Sequence, residues 1–283
     1  MWSNFHMHSN YCDGKGELKE YVHQALKNKM ISIGFSSHAP VPFQSVWCMK
    51  RELLDRYLRE IDTLDSTTTG IEIYKGLEVD FVPGLTGPTD FAQKLDYTIG
   101  SIHFVDAFDD GKPWEIDGTH SVFLEGLDKI FSGDIKKAIA RYYDLTREMI
   151  ATSRPTILGH MDKIKFQNID NKFFLEKDQW YQEEIDHTLD VVMKSGVIVE
   201  VNTRGLYQGK SSTPYPSPWI LEQIHKKQIP IMLNSDTHHP KDMINLFPEM
   251  AVLLHEIGFK TLNVLYQGQW QPYSFNSNGI IIN

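Results

Sequence analysis

The strongest constraint on this chain is a recurrence. Short apolar runs rich in β-branched residues alternate with longer amphipathic segments along most of its 283 residues. The short runs predict strands at 2–8, 31–36, 71–79, 97–104, 156–160, 197–202 and 229–235. The longer ones predict helices at 17–29, 50–64, 119–131, 135–152, 173–195, 217–227 and 248–257. Leu18, Val22, Ala25 and Leu26 stand at i, i+4, i+7 and i+8, the spacing of one buried helical face. The runs Val197-Ile198-Val199 and Ile229 to Leu233 carry no polar alternation, as expected of strands covered on both faces. Strand–helix alternation implies a parallel sheet, and about seven such units imply a closed or nearly closed α/β barrel. A single domain spanning 1–283 is expected, since barrels routinely reach this length. The segment 261–275 is less regular and strand-like, suited to covering the barrel or supporting a partner chain, so a homo-oligomer stays open.

The polar residues are informative because of where they fall. Nearly every expected strand ends in a metal-ligand type: His6-Met7-His8, Ser37-His38, Glu78-Val79-Asp80, Ser101-Ile102-His103, Gly159-His160, Glu200-Val201-Asn202 and Asp236-Thr237-His238. A parallel barrel opens all its strand C-termini onto one face, so residues distant in sequence converge there. Side chains alternate along a strand with period two, so His6 and His8 point the same way and can grip one ion. Imidazole nitrogen with carboxylate oxygen suits zinc, iron or manganese. One histidine at a strand end is ordinarily a hydrogen-bonded structural residue. Seven strand ends carrying ligand types are hard to reconcile with packing alone, because buried His, Asp and Glu are costly unless paired or metal-bound.

At this level of detail the sequence resembles the polymerase and histidinol phosphatase (PHP) superfamily. His6-Met7-His8-Ser9-Asn10-Tyr11-Cys12-Asp13-Gly14 is similar to its opening motif. Ser36-Ser37-His38-Ala39-Pro40, Gly76-Leu77-Glu78-Val79-Asp80, Gly100-Ser101-Ile102-His103-Phe104, Gly159-His160-Met161-Asp162 and Asn234-Ser235-Asp236-Thr237-His238 follow in the family's order. Glu200 to Gly205 and Lys163-Ile164-Lys165-Phe166 resemble the histidinol-phosphatase branch. The resemblance implies a distorted (β/α)7 barrel with two to three divalent ions, zinc, iron or manganese. It implies that His6, His8, Glu78 and Asp236 hold the first ion, Glu78, His103 and His160 the second, and Asp13, His38 and His238 the third. Glu78 would bridge, and catalysis would rest on Glu78, His103 and Asp236. Asp13 departs most from the family, some of whose members place a histidine near this point.

The activity so implied is hydrolysis of L-histidinol phosphate to L-histidinol and phosphate in histidine biosynthesis, by in-line attack of a metal-bound hydroxide. Arg204, two residues past Asn202, is expected to bind the phosphate with its planar fork. The alternative is a PHP phosphoesterase acting on another small phosphate monoester or on phosphotyrosine. The leaving alkoxide needs a proton, for which metal-bound water and His239 are the candidates. Phe43, Trp47 and Trp114 fall in loops after strands, where an aromatic ring can stack on an imidazole or simply cover core. Cys12 reads as a small packed side chain beside a ligand. His23, His120, His187, His225 and His255 sit in helix-like segments and read as structural or exposed.

The bulk properties narrow the partners. Against 28 basic residues stand 37 acidic ones, a formal charge of −9, with no basic stripe; nucleic acid and anionic membrane are not expected partners. Bound divalent ions would reverse that sign locally and draw a small phosphorylated substrate. Two cysteines, no basic and apolar leader, and no apolar run near bilayer length point to the cytoplasm.

Overall fold

A computed structural model of the protein describes residues 1–282. In chain order its elements are β1 Ser3–Asn4, α1 Leu18–Lys27, β2 Ser32–Phe35, α2 Leu54–Thr67, β3 Glu72–Asp80, β4 Tyr97–Ser101, β5 Phe104–Ala107, β6 Pro113–Glu115, α3 His120–Phe131, α4 Ile135–Ser153 and β7 Ile157–Leu158. There follow α5 Gln179–Ser195, β8 Ile198–Asn202, α6 Arg204–Tyr207, α7 Pro218–Lys226, β9 Ile231–Asn234, α8 Phe247–Ile257, and the strands β10 Thr261–Tyr266, β11 Gln269–Asn276 and β12 Gly279–Ile280.

Seven strands form one sheet in the order β1-β2-β3-β4-β7-β8-β9, every pair parallel. A parallel bridge between Met7 and Thr237 joins the last strand to the first. Its bonds run from His8 N to Thr237 O at 2.8 Å and from Thr237 N to His6 O at 3.1 Å. The result is the expected distorted seven-stranded barrel, and the closing bonds are made by the backbone of the His-x-His pair itself.

Two apolar bodies hold the barrel. The larger lies between sheet and helices and includes Ile33, Phe35, Leu77, Val79, Val199, Val201, Leu233 and the inner faces of the helices. The smaller gathers Phe5, Tyr97, Ile99, Ile157, Ile198 and Met232 with Val264, Leu265 and Ile280 of the C-terminal strands. The strand-like tail thus covers the barrel, as the antiparallel sheet β10–β11–β12. Tyr97 ties this inner core together, its hydroxyl donating to Phe5 O at 2.7 Å and Phe35 O at 3.1 Å. Gly76 leaves room for that ring, since any Cβ there would collide with it.

Several expected boundaries move. The first strand pairs as a ladder only over Ser3–Asn4, and the rest of 2–8 joins the barrel through single bridges. The fourth ladder stops at Ser101, because Phe104 turns away to open an antiparallel hairpin with β6. The helix expected from 173 starts at Gln179. The Asn168 side chain captures the backbone N–H of Phe173 and Phe174, and Asp178 that of Leu175. On α1 the buried face is Leu18, Tyr21, Val22 and Ala25, while Leu26 is 40% exposed. Tyr21 rotates the stripe because its hydroxyl has a specific partner, the carbonyl of His8, at 2.6 Å.

Candidate metal centre

All nine residues expected as ligands meet at the C-terminal ends of the barrel strands. Glu78, 1% exposed at the end of β3, stands at the centre. Its Oε2 lies 3.1 Å from His6 Nε2, 3.3 Å from His8 Nε2 and 3.1 Å from His38 Nδ1. Its Oε1 lies 2.9 Å from His160 Nε2 and 3.7 Å from His103 Nε2. Asp236 Oδ1 is 3.2 Å from His8 Nε2 and 3.7 Å from His6 Nε2. Asp13 Oδ2 is 3.2 Å from His238 Nε2, with Oδ1 3.9 Å from His38 Nε2.

The side chains fall into groups compact enough for single ions: His6, His8 and Asp236; Glu78, His103 and His160; and His8, Asp13, His38 and His238. The second is the expected trio; the first lacks Glu78, expected there as the bridge, whose Oε2 nevertheless lies 3.1 Å from His6 Nε2, and the third gains His8. A fourth group, His38, Asp80 and His103, was not foreseen. Two ligands each about 2.0–2.2 Å from one ion stand roughly 3–3.6 Å apart, close to the separations seen here. The sharper test is hydrogen bonding. His6 Nε2, His8 Nε2, Asp13 Oδ1, His38 Nδ1 and Asp236 Oδ1 are buried and have no hydrogen-bond partner. Each such atom costs about 1–3 kcal/mol unless something satisfies it. Three imidazole nitrogens and two carboxylate oxygens left in this state within one cluster fit divalent cations.

Charge is arranged to the same end. Burial, then the neighbouring His238, lowers His8 to about 4, and burial lowers His38 to about 4, so both imidazoles are neutral near pH 7. Burial opposes ionisation of Glu78, but His6, His38 and His103 outweigh it and hold the carboxyl well below its usual range. Asp236 is likewise depressed against burial, by His6 and Arg204. His103 goes the other way: burial disfavours its proton, yet Asp80 with Asp117 and Glu78 raises it to about 10.

A further layer orients the rings. Glu200, fully buried on β8, accepts from His6 Nδ1 at 2.6 Å, Asn234 Nδ2 at 2.9 Å, the His160 backbone N–H at 2.9 Å and Asn202 Nδ2 at 3.0 Å. That fixes the His6 proton on Nδ1 and leaves Nε2 free to ligate. Asp80 does the same for His103, accepting from Nδ1 at 2.9 Å. Asp236 sits at φ +48°, a left-handed conformation that costs a non-glycine residue about 1–3 kcal/mol. Its carbonyl is held by Arg204 Nη1 at 2.7 Å.

Above the cluster lies a cavity of about 210 Å³. Its lining includes Arg204, Lys163 and Lys210 together with Trp47, Glu115 and Asp117. Arg204 opens α6 directly after β8 and also contacts His238 Nδ1. Lys163 is buried beside Asp117, 3.4 Å away; burial works against its charge, but Asp117 prevails and raises it. Lys210 is lowered by burial and by Arg204 and Lys163. Three cations share the cavity close enough for Arg204 and Lys163 to disfavour the charge on Lys210, and an anion there would relieve that repulsion.

Sequence reasoning missed Lys163, Lys210, Glu115 and Asp117 as cavity residues, because they sit on loops and a hairpin that carry no periodic signal. Asp80 and Glu200 were visible at strand ends, each two residues from another polar strand-end residue, but their roles were not. Trp47 packs edge-on against His38, with ring centroids 4.5 Å apart, while Phe43 packs on Phe104. Trp114 covers core, the second of the two expected roles, though from β6 rather than a loop: it is fully buried against Phe123 and Phe131, and the absent side chain of Gly126 makes room for it. His239 Nδ1 accepts from the Lys241 N–H, and the residue does not line the cavity. The Cys12 thiol is pushed up to about 12 by burial and by Asp13, and lies 3.6 Å from His8 Nδ1, so it packs as a thiol.

Comparison with known proteins agrees with this architecture. A PHP domain is matched over residues 4–204. A Deinococcus radiodurans protein named "Probable histidinol-phosphatase" is 28% identical over 278 residues, covering 94% of this chain and 97% of that one. The Bacillus subtilis "Histidinol-phosphatase" is 26% identical over 257 residues, covering 84% and 94%. The crystal structure of histidinol phosphate phosphatase from Lactococcus lactis, complexed with zinc, L-histidinol and phosphate, superposes with a TM-score of 0.67 at 18% identity, over 99% of both chains. No helix among the described residues is long and apolar enough to cross a membrane.

Proposed function

The chain belongs to the PHP domain family, and from that premise we propose that it is a metal-dependent phosphatase that hydrolyses L-histidinol phosphate to L-histidinol and phosphate in histidine biosynthesis. One observation carries the reading. Five buried ligand-type atoms without hydrogen-bond partners lie in a cluster that opens into the cavity lined by Arg204, Lys163 and Lys210. Such a site takes divalent cations in the cluster and a phosphoryl group in the cavity. The names of the full-length relatives from Deinococcus radiodurans and Bacillus subtilis support the substrate.

In this reading His6, His8 and Asp236 hold one ion, Glu78, His103 and His160 a second, and Asp13, His38 and His238 a third. When bound, the ions acidify water and neutralise phosphoryl oxygens. The remaining work falls to the chain. Glu200 and Asp80 keep His6 and His103 in the tautomer that points Nε2 inward. Arg204 clamps the strand end that carries Asp236, and its remaining N–H groups are available for phosphate. Lys163 and Lys210 add charge that develops its full effect only as the phosphate displaces water. His239 does not line the cavity, which leaves water as the proton source for the leaving alkoxide.

The test is phosphate release from L-histidinol phosphate, set beside phenyl phosphate, phosphotyrosine and glycerol phosphate, by protein reconstituted with zinc or manganese. The proposal expects a strong preference for L-histidinol phosphate, lost in His8→Ala and Glu78→Ala. Even, slow turnover of the whole panel would remove the substrate assignment, and no metal-dependent release would remove the phosphatase.

A further inference from the structure

The cavity is chemically lopsided in a way that phosphate hydrolysis alone does not require. Of the acids that line it, Asp13 has His238 at 3.2 Å, Glu78 has His160 at 2.9 Å, Asp117 has Lys163 at 3.4 Å and Asp236 has His8 at 3.2 Å. Glu115 lines the same cavity and has no cation within ion-pair distance among the described residues. Burial, and then Asp117, push its carboxyl above the ordinary range, and the nearby His103 and Trp47 offset them only in part.

The fold goes to some length to put Glu115 there. Immediately after His103 the chain leaves the barrel as the β5–β6 hairpin and returns with Glu115 paired opposite Phe104. Phe104 in turn carries Trp47, stacked on it at 5.5 Å with planes 9° apart, and Trp47 lines the cavity beside Glu115. The hairpin therefore brings a carboxylate without an ion-pair partner into the cavity that Arg204, Lys163 and Lys210 also line, and its Phe104 supports the Trp47 ring there.

We infer that Glu115, flanked by Trp47, selects the leaving alcohol by receiving an ammonium group carried on it. The inference rests on the histidinol-phosphate reading and deepens it. L-Histidinol phosphate bears a primary ammonium on the carbon next to its ester carbon, so a molecule clamped by its phosphate on Arg204, Lys163 and Lys210 needs an anion for its other end. Glu115 supplies it, and the tryptophan supplies an apolar face for the imidazole-bearing chain. A carboxylate placed this way also disfavours esters whose alcohol is anionic, which is selection by repulsion as well as attraction.

The experiment compares L-histidinol phosphate with 3-(imidazol-4-yl)propyl phosphate, the same ester without its amine, on zinc-reconstituted enzyme. The readout is the ratio of kcat/KM values. In the wild type the amine-bearing ester is favoured at least tenfold. Glu115→Gln lowers that ratio by about tenfold, a loss typical of one charge-assisted contact, and Glu115→Asp, which keeps the charge, retains more of it. Product inhibition gives a second readout that needs no turnover of the analogue: the inhibition constant for L-histidinol rises about tenfold in Glu115→Gln. A wild type that favours the amine while Glu115→Gln keeps both the ratio and the inhibition constant within twofold overturns the assignment. A wild type that treats the two esters alike overturns it as well, whereas failure to hydrolyse either ester sinks the histidinol-phosphate reading beneath it.

Discussion

Glu200 offers the sharpest mutational test of how the centre is built. Its carboxylate is fully buried and accepts from four donors, two at each oxygen: His6 Nδ1 and Asn234 Nδ2 at Oε1, the His160 N–H and Asn202 Nδ2 at Oε2. Glu200→Gln preserves the shape and replaces one oxygen with an NH2 group. Whichever way the amide turns, two of the four donors then face a donor. At about 1–3 kcal/mol for each buried group left unsatisfied, the variant loses about 2–6 kcal/mol of stability. If the amide nitrogen faces His6, the imidazole must carry its proton on Nε2 and can no longer ligate. Loss of such an orienting partner lowers metal affinity about 10–100-fold. Urea denaturation of the metal-stripped protein reads the first quantity, and competition for zinc against a calibrated chelator reads the second. A Gln variant with stability within about 0.5 kcal/mol and zinc affinity within twofold of wild type would refute the reasoning.

Three further outcomes follow from other parts of the structure. Metal-stripped protein should be most stable near pH 6.5. His8 and His38, held at about 4 when folded, bind protons more readily when unfolded, so stability falls as pH drops from about 6.5 toward 4. His103, raised to about 10 when folded, contributes stability present below pH 6.5 and lost as pH climbs toward 10. A melting temperature that rises steadily across pH 4–10 would contradict this. Gly126→Ala should destabilise the fold by about 1–3 kcal/mol in urea titration, because the new Cβ lands on the Trp114 ring inside a packed core; an unchanged midpoint would show that the ring can move aside. Arg204→Lys should raise KM for the phosphate ester roughly tenfold and lower kcat as well. It removes the fork from phosphate and weakens the hold on the Asp236 carbonyl; a variant with wild-type KM and kcat would remove Arg204 from the site.

The barrel was legible because its determinants are periodic. Val197-Ile198-Val199 and the run from Ile229 to Leu233 are apolar for the reason that both their faces are covered. His6 and His8 could be placed together from alternation alone. What could not be read were features set by local hydrogen bonding or by excursions from the sheet. The start of α5 depends on Asn168 and Asp178 capturing backbone donors. The buried face of α1 depends on a tyrosine hydroxyl finding the His8 carbonyl. Glu200 and Asp80 carry the same residue types as ligands and stand at the same strand ends. Only their hydrogen bonds to the Nδ1 atoms of His6 and His103 mark them as supports for those rings. Glu115 is the hardest case: its place in the cavity is the product of a hairpin whose register with Phe104 leaves no trace in composition or period.

The central claim is that the histidine–carboxylate cluster is a metal site on which phosphate ester hydrolysis depends. The most direct measurement is a titration: chelator-stripped protein receives zinc or manganese in steps while phosphate release from L-histidinol phosphate is followed. The account predicts no measurable turnover at zero metal and a rise that saturates at two to three equivalents, with Glu78→Ala inactive throughout. Full turnover by the stripped protein, or a rise that ignores the Glu78 substitution, would contradict it.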